Sequence, residues 1–163
     1  MNKSSHNIIR VIKAITDYQF GAAITNVLFE EFPISDIEYS KNTGRIKHVY
    51  VKNELYLNFR PNIGLFSLSL NAARRILEKI KPPKLRVIVL NEISEYIKEG
   101  RNVFNKHVID IDDKLRPLDE VIVVNQLDEL LGIGRLKLPV PYVRSLSNGI
   151  AVIIRKGINK SKL

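Results

Sequence analysis

The segment KPPK at residues 81–84 constrains what this chain can fold into more than any other feature. Proline lacks the N–H that a helix interior or a central strand needs, and two in succession make a stiff extended connector. Apolar patterning stops before this segment and restarts after it. Two modules are therefore expected, residues 1–83 and residues 84–163.

In the first module Ile8, Ile9, Val11, Ile12 and Ile15, then Phe20, Ile24, Val27 and Leu28, recur at steps of three and four residues. That spacing predicts one long or broken amphipathic helix over 7–31, with Gly21 as the place for a kink. EEFPISD ends it, because proline disfavours helical backbone in the residue before it. IEYS, RIKHVYVKN, ELYLNFR and LFSLSL, separated by KNTG, KNE and RPNIG, predict a four-stranded antiparallel meander. NAARRILEKI predicts a second helix, capped by Asn71, with Ala72, Ile76, Leu77 and Ile80 on one side.

The second module opens with LRVIVL and a short helix, EISEYIKEG, whose Gly100 supplies the left-handed C-terminal position. HVIDID, EVIVVN, LLGIGRLKL and GIAVIIRKGI follow. Short, closely spaced strands with one early helix predict a small closed or partly closed barrel. The fold class is α+β: an N-terminal domain of helix, antiparallel sheet and helix, followed by a small β-barrel.

Charge and composition narrow the function. Lys and Arg number 26 against 17 Asp and Glu, a formal charge of +9. The excess is spread along the chain, with 12 basic and 7 acidic residues through Pro83 and 14 and 10 beyond it. Such a balance favours a polyanionic partner such as nucleic acid. The absence of cysteine excludes disulfides, thiolate catalysis and cysteine-ligated zinc or iron–sulfur sites. An intracellular, cytoplasmic location is the simplest reading. The N-terminus lacks the unbroken apolar core of a signal peptide, and no run of about 18 apolar residues offers a membrane span.

Catalytic and metal chemistries find no constellation. Asp110, Asp112 and Asp113 lie near His107, but DIDDKLRPLDE lacks the glycine and distant glutamate of an EF-hand loop. We expect these acids to point outward from a strand end into a turn with Pro117. GIGR holds two glycines in a strand context and no GxxxxGK[ST] segment occurs, so these glycines mark a bulge or a close backbone approach. His6, His48 and His107 are isolated, and neither HExxH nor GxSxG is present. No catalytic residue, metal or cofactor is expected.

Binding remains. KEGRNVFNK gathers Lys98, Arg101 and Lys106 with Asn102 and Phe104 at a helix–strand junction. The cations would neutralise phosphates, Asn102 would read base or 2′-hydroxyl edges, and Phe104 would stack on an unpaired or terminal base. The same residues also fit a core phenylalanine with a solvated basic rim. Spacing alone leaves both readings open.

The ordered set from LRVIVL through the helix-end glycine, NVFNKHV, RPLDEVIVV and LLGIGRL to GIAVIIR resembles a PUA domain over residues 84–158. PUA domains are small β-barrels that bind RNA, usually tRNA or guide-RNA stems. DYQFG, IEYSKNTGRIKHVYV and LRPNIGLFSLSLNAARRIL resemble the domain that precedes the PUA domain in archaeal tRNA-guanine transglycosylase and archaeosine synthase. After YQFG the family pattern is rich in lysine and glycine, whereas this chain has AAITN. The resemblance implies a tRNA-binding protein, not an enzyme, that recognises the acceptor stem. Its partners would be tRNA or another structured RNA and a separately encoded catalytic subunit of the archaeosine pathway. By motif position the contacts carry to Gly100, Arg101, Asn102, Val103 and Phe104, with Lys98 and Lys106 beside them. Gly134, Arg135, Lys137 and Arg155 form a second wall. Two rivals stand beside it: a protein-docking subunit that never touches RNA, with LYLNFR as an edge strand, and an autonomous enzyme.

Overall fold

The structure is a computed structural model that describes residues 3–160. The chain parts into two compact units at Ile80 and Lys81. The KPPK connector is a turn rather than an extended strut: the Pro83 carbonyl accepts from Arg86 N at 2.9 Å, and Leu85 takes φ +62°.

In the first unit the predicted helix is broken in two, α1 (Lys3–Phe20) and α2 (Ala22–Phe29). Gly21 sits between them at φ +91°, a backbone that a side chain would strain. Ile12, Phe20, Ile24 and Leu28 are buried, and Thr25 Oγ1 donates to Thr16 Oγ1 at 3.0 Å, so two buried hydroxyls satisfy each other across the break. The strands β1 (Ile34–Tyr39), β2 (Ile46–Val51), β3 (Glu54–Arg60) and β4 (Leu65–Leu68) form the expected meander in sequence order. Lys52 and Asn53, both at positive φ, make the two-residue turn between β2 and β3.

Two local expectations are corrected. LYLNFR lies in β3, between β2 and β4, and is not an edge. The helix α3 (Leu70–Lys79) is capped by Ser69, whose hydroxyl accepts from Ala72 N at 3.1 Å. Ser69 is extended, as an N-cap must be, whereas Asn71 is already inside the first turn and accepts from Arg74 instead. The β4 edge is occupied: Gln19 of α1 donates to the Phe66 carbonyl at 2.6 Å and accepts from Phe66 N at 2.9 Å, as a neighbouring strand would.

The second unit contains β5 (Arg86–Val89), α4 (Ser94–Lys98), β6 (Val103–Phe104), β7 (Val108–Ile111), β8 (Glu120–Val124), β9 (Leu130–Leu136), α5 (Val140–Ser145) and β10 (Ile150–Gly157). The sheet order is β6-β10-β9-β8-β5-β7, with β5 and β8 parallel and the other pairs antiparallel. The two outer strands, β6 and β7, are joined by a single 3-10 turn, Asn105–His107, so the sheet must curl into a nearly closed barrel. All five residues of β8 are buried at its centre. Arg86 is buried with them and donates through Nε and Nη2 to the Asp128 carboxylate at 2.7 and 3.0 Å.

The glycines of GIGR mark a close approach between β9 and β10. A Cβ on Gly134 would lie 2.2 Å from the Ile153 carbonyl oxygen. Asp112, expected to point outward, is buried and accepts from Leu85 N at 2.8 Å and Lys114 N at 3.0 Å. Asp110 and Asp113 remain exposed and share Arg144 of α5, at 3.6 and 2.5 Å. Among the described residues no three His, Asp or Glu side chains group so as to hold a metal ion, and no helix is long and apolar enough to cross a membrane.

Candidate nucleic-acid interface

The junction between α4 and β6 begins where the helix stops. Gly100, at φ +93°, donates its N–H to the Ile97 carbonyl at 2.9 Å, and Arg101 N donates to the Tyr96 carbonyl at 3.1 Å. These bonds satisfy the last helical carbonyls, so the chain turns out of the helix without leaving buried acceptors. β6 then runs for two residues only. Val103 is sealed in the barrel, while Phe104 is 46% exposed. Its ring meets that of His107 edge to face, with centroids 6.5 Å apart.

Exposed Arg101 and Lys106 flank this ring in sequence. The Arg101 guanidinium lies 5.6 Å from the ring centroid of Tyr96, itself largely exposed, so a second aromatic belongs to the same surface. Lys98 is bound to Glu95 at 2.9 Å and contributes a paired charge. Asn102 is committed to the fold: its Oδ1 accepts from Ile154 N at 3.0 Å and pins β6 to β10.

The second wall is arranged differently from the expectation. Gly134 and Val103 are buried. Arg155, at a β-bulge in β10, donates to both Glu120 oxygens at 2.8 Å, and Arg135 Nε lies 3.9 Å from the same carboxylate. One buried acid thus offsets part of two basic charges. Lys137 is exposed, its backbone N–H donating to the Ala151 carbonyl at 2.8 Å.

One cation was not visible from spacing. After β10 the chain crosses the end of α4, where Asn159 N donates to the Lys98 carbonyl at 3.0 Å. This places Lys160 against Gly100, with its Cδ 3.4 Å from where a Gly100 Cβ would stand. Gly157 permits the crossing, since a Cβ there would lie 2.1 Å from the Lys98 carbonyl oxygen. A run of lysines near a C-terminus gives no hint that it returns to a helix some 60 residues earlier.

Residues 85–158 match the PUA domain family. The second unit is a PUA domain. Residues 10–83, which hold most of the first unit, match the patch-forming domain C2 of tRNA-guanine transglycosylase. The chain is 34% identical over 149 residues to a tRNA-guanine(15) transglycosylase of Thermococcus onnurineus, covering 91% of itself and 25% of that protein. It is 40% identical over 152 residues to the protein of that name in Methanocaldococcus jannaschii, covering 93% of itself and 23% of the relative. The chain therefore spans about a quarter of the length of these archaeal relatives and resembles their C-terminal part. In fold it is similar to a hypothetical protein of Pyrococcus horikoshii OT3, with a TM-score of 0.73, 20% identity, and 93% and 90% of the two chains covered. A conserved PUA-domain protein of Thermoplasma acidophilum gives a TM-score of 0.62 at 15% identity, covering 96% and 91%.

Proposed function

We propose that this chain is a non-catalytic RNA-binding protein of tRNA modification, and that residues 1–83 and 84–163 act as two modules of one tRNA-binding unit. It grips the acceptor-stem region by shape and phosphate charge and serves a separately encoded transglycosylase or archaeosine synthase. One observation carries the reading. An aromatic ring that could have completed the barrel core is nearly half exposed in a loop bearing Arg101 and Lys106. A phenylalanine left in solvent beside cations suits a terminal base pair or an unpaired base, whose flat face stacks while the cations meet phosphate. Lys160 and Lys137 extend the positive surface, Lys98 adds a charge shared with Glu95, and Gly100 lets a sugar–phosphate chain approach the backbone closely.

Similarity to the transglycosylases over both units supports tRNA as the substrate class. Since the chain spans only a quarter of those relatives, their base exchange belongs in this reading to a partner. The test is binding of the purified chain to a tRNA transcript in the absence of other proteins. Saturable binding that weakens with salt is expected; none at low salt removes the proposal.

A second reading has one specific observation in its favour. Among the described residues β1 pairs only with β2, which makes it the outer strand of its sheet, and Tyr39 at its end is exposed. An outer strand suits strand addition by a protein partner. Failure to bind tRNA alone, with retention on an immobilised catalytic subunit, would favour that reading.

A further inference from the structure

We propose that the exposed face of α1 packs on the same face of a second copy of this chain, with the two helices antiparallel. This inference goes beyond the RNA-binding reading and does not depend on it.

The helix α1 has two faces of different fate. Ile12, Thr16 and Phe20 are buried in the first unit. Asn7, Val11, Ala14 and Tyr18 form a second line along the helix, and all four are exposed. Their steps of four, three and four residues are those of a seam between two packed helices. At 3.6 residues per turn, half-buried Ile8 and Ile15 border that line on one side, and exposed Arg10 and Asp17 border it on the other. Val11 is 48% exposed and Tyr18 is 85% exposed. A helix that met only water here would carry polar side chains along this line. An aliphatic and an aromatic side chain aligned in solvent mark a contact surface.

Charge and shape make the second copy the occupant. Asp17 is the one acid of α1, and Arg10 lies two turns before it. When two such helices are turned antiparallel about a two-fold axis beside Ile12 and Lys13, Arg10 of each faces Asp17 of the other. Neither side chain has an ion-pair partner among the described residues. The same register sets Val11 opposite Ala14 and Asn7 opposite Tyr18, and each contact occurs twice, as a two-fold interface requires. A groove of about 430 Å³, lined by Ser5, Asn7, Ile8, Val11 and Tyr39, lies where the ring of the second copy's Tyr18 must go. Ala14 carries only a methyl group, which lets the axes approach toward the near end of the usual 8–10 Å. A parallel pair would bring like residues side by side and leave Arg10 without an acid opposite. From Asn7 to Tyr18 the seam is about 18 Å long at 1.5 Å per residue, so a weak, concentration-dependent dimer is expected.

The test is sedimentation equilibrium of the full chain, without RNA, from micromolar to submillimolar concentration. A reversible monomer–dimer equilibrium is expected. Tyr18→Ser, altered at an exposed position, should weaken the dimer by about tenfold or more, because both copies lose an anchor. Asp17→Arg should weaken it by setting like charges opposite each other, and Arg10→Asp/Asp17→Arg should restore it. A chain that stays monomeric throughout overturns the inference, including one that then joins a separate catalytic protein. So does a dimer indifferent to Tyr18→Ser, or a double variant no better than Asp17→Arg. Each of these outcomes leaves the RNA-binding reading standing, since that is tested by tRNA titration alone.

Discussion

Phe104 and Val103 are adjacent apolar residues with opposite fates. In a strand successive side chains point to opposite faces, so in a two-residue strand one of them must turn away from the barrel. Phe104→Ala removes the exposed partner, and RNA affinity should fall by about 1–3 kcal/mol, the range of base–aromatic stacking. Its Tm should move far less than that of a variant at buried Val103. A large drop in Tm on losing Phe104 would return the ring to the core. Arg101→Ala and Lys106→Ala should each flatten the log–log salt dependence of binding by about 0.7 to 0.9, one phosphate apiece. The amino-acid order placed these residues in one loop but could not say which way the ring faced, because parity is set by pairing with β10 rather than by composition. Nor could it show that the Asn102 side-chain carbonyl accepts from Ile154 N.

Elements bring together what spacing cannot. The end of β10 crosses the end of α4 with no room for a side chain at Gly157, and this crossing puts Lys160 beside Gly100. Gly157→Ala should therefore destabilise the fold by about 1–3 kcal/mol, as overpacking does, and weaken RNA binding more than it alters the salt slope. Denaturant titration and binding on the same preparation separate the two effects. In the first unit, Arg75 of α3 holds Glu31 after α2 through an ion pair, and that hydrogen bond is the main reason the Glu31 carboxyl sits below the usual glutamate range. An acid with a depressed pKa adds stability above its ordinary pKa of about 4.3 and loses it as pH falls through the lowered value. Glu31→Gln should thus be slightly less stable than the parent at neutral pH, with the gap closing in acid; a gap independent of pH would refute the pairing. Long periodic elements and turn residues were legible, as the break at Gly21 illustrates. α5 was not: PVPYVRS is too short to show a helical period and carries two prolines, although proline is tolerated in a first helical turn.

Over the whole molecule the question is how far the charge reaches. The basic excess divides almost evenly, 12 against 7 through Pro83 and 14 against 10 after it, so the Phe104 loop holds only a small part of it. If the loop were the entire contact, Arg101, Lys106 and Lys160 would neutralise three phosphates and the salt slope would be about −2 to −3. Arg135 and Arg155 add little to that, being drawn to Glu120. The C2-like first unit, through Ile80, carries 11 basic and 7 acidic residues, an excess close to that of the second, and its relatives join the two regions in one chain. A tRNA-binding unit made of both modules should therefore give a slope steeper than about −3 for the full chain, measured from low to physiological salt. Arg101→Ala/Lys106→Ala should then leave a residual salt-dependent affinity rather than none. A slope near −2 that disappears in this double variant would confine recognition to the PUA loop, and the first unit would then be free for a protein partner at the outer strand β1.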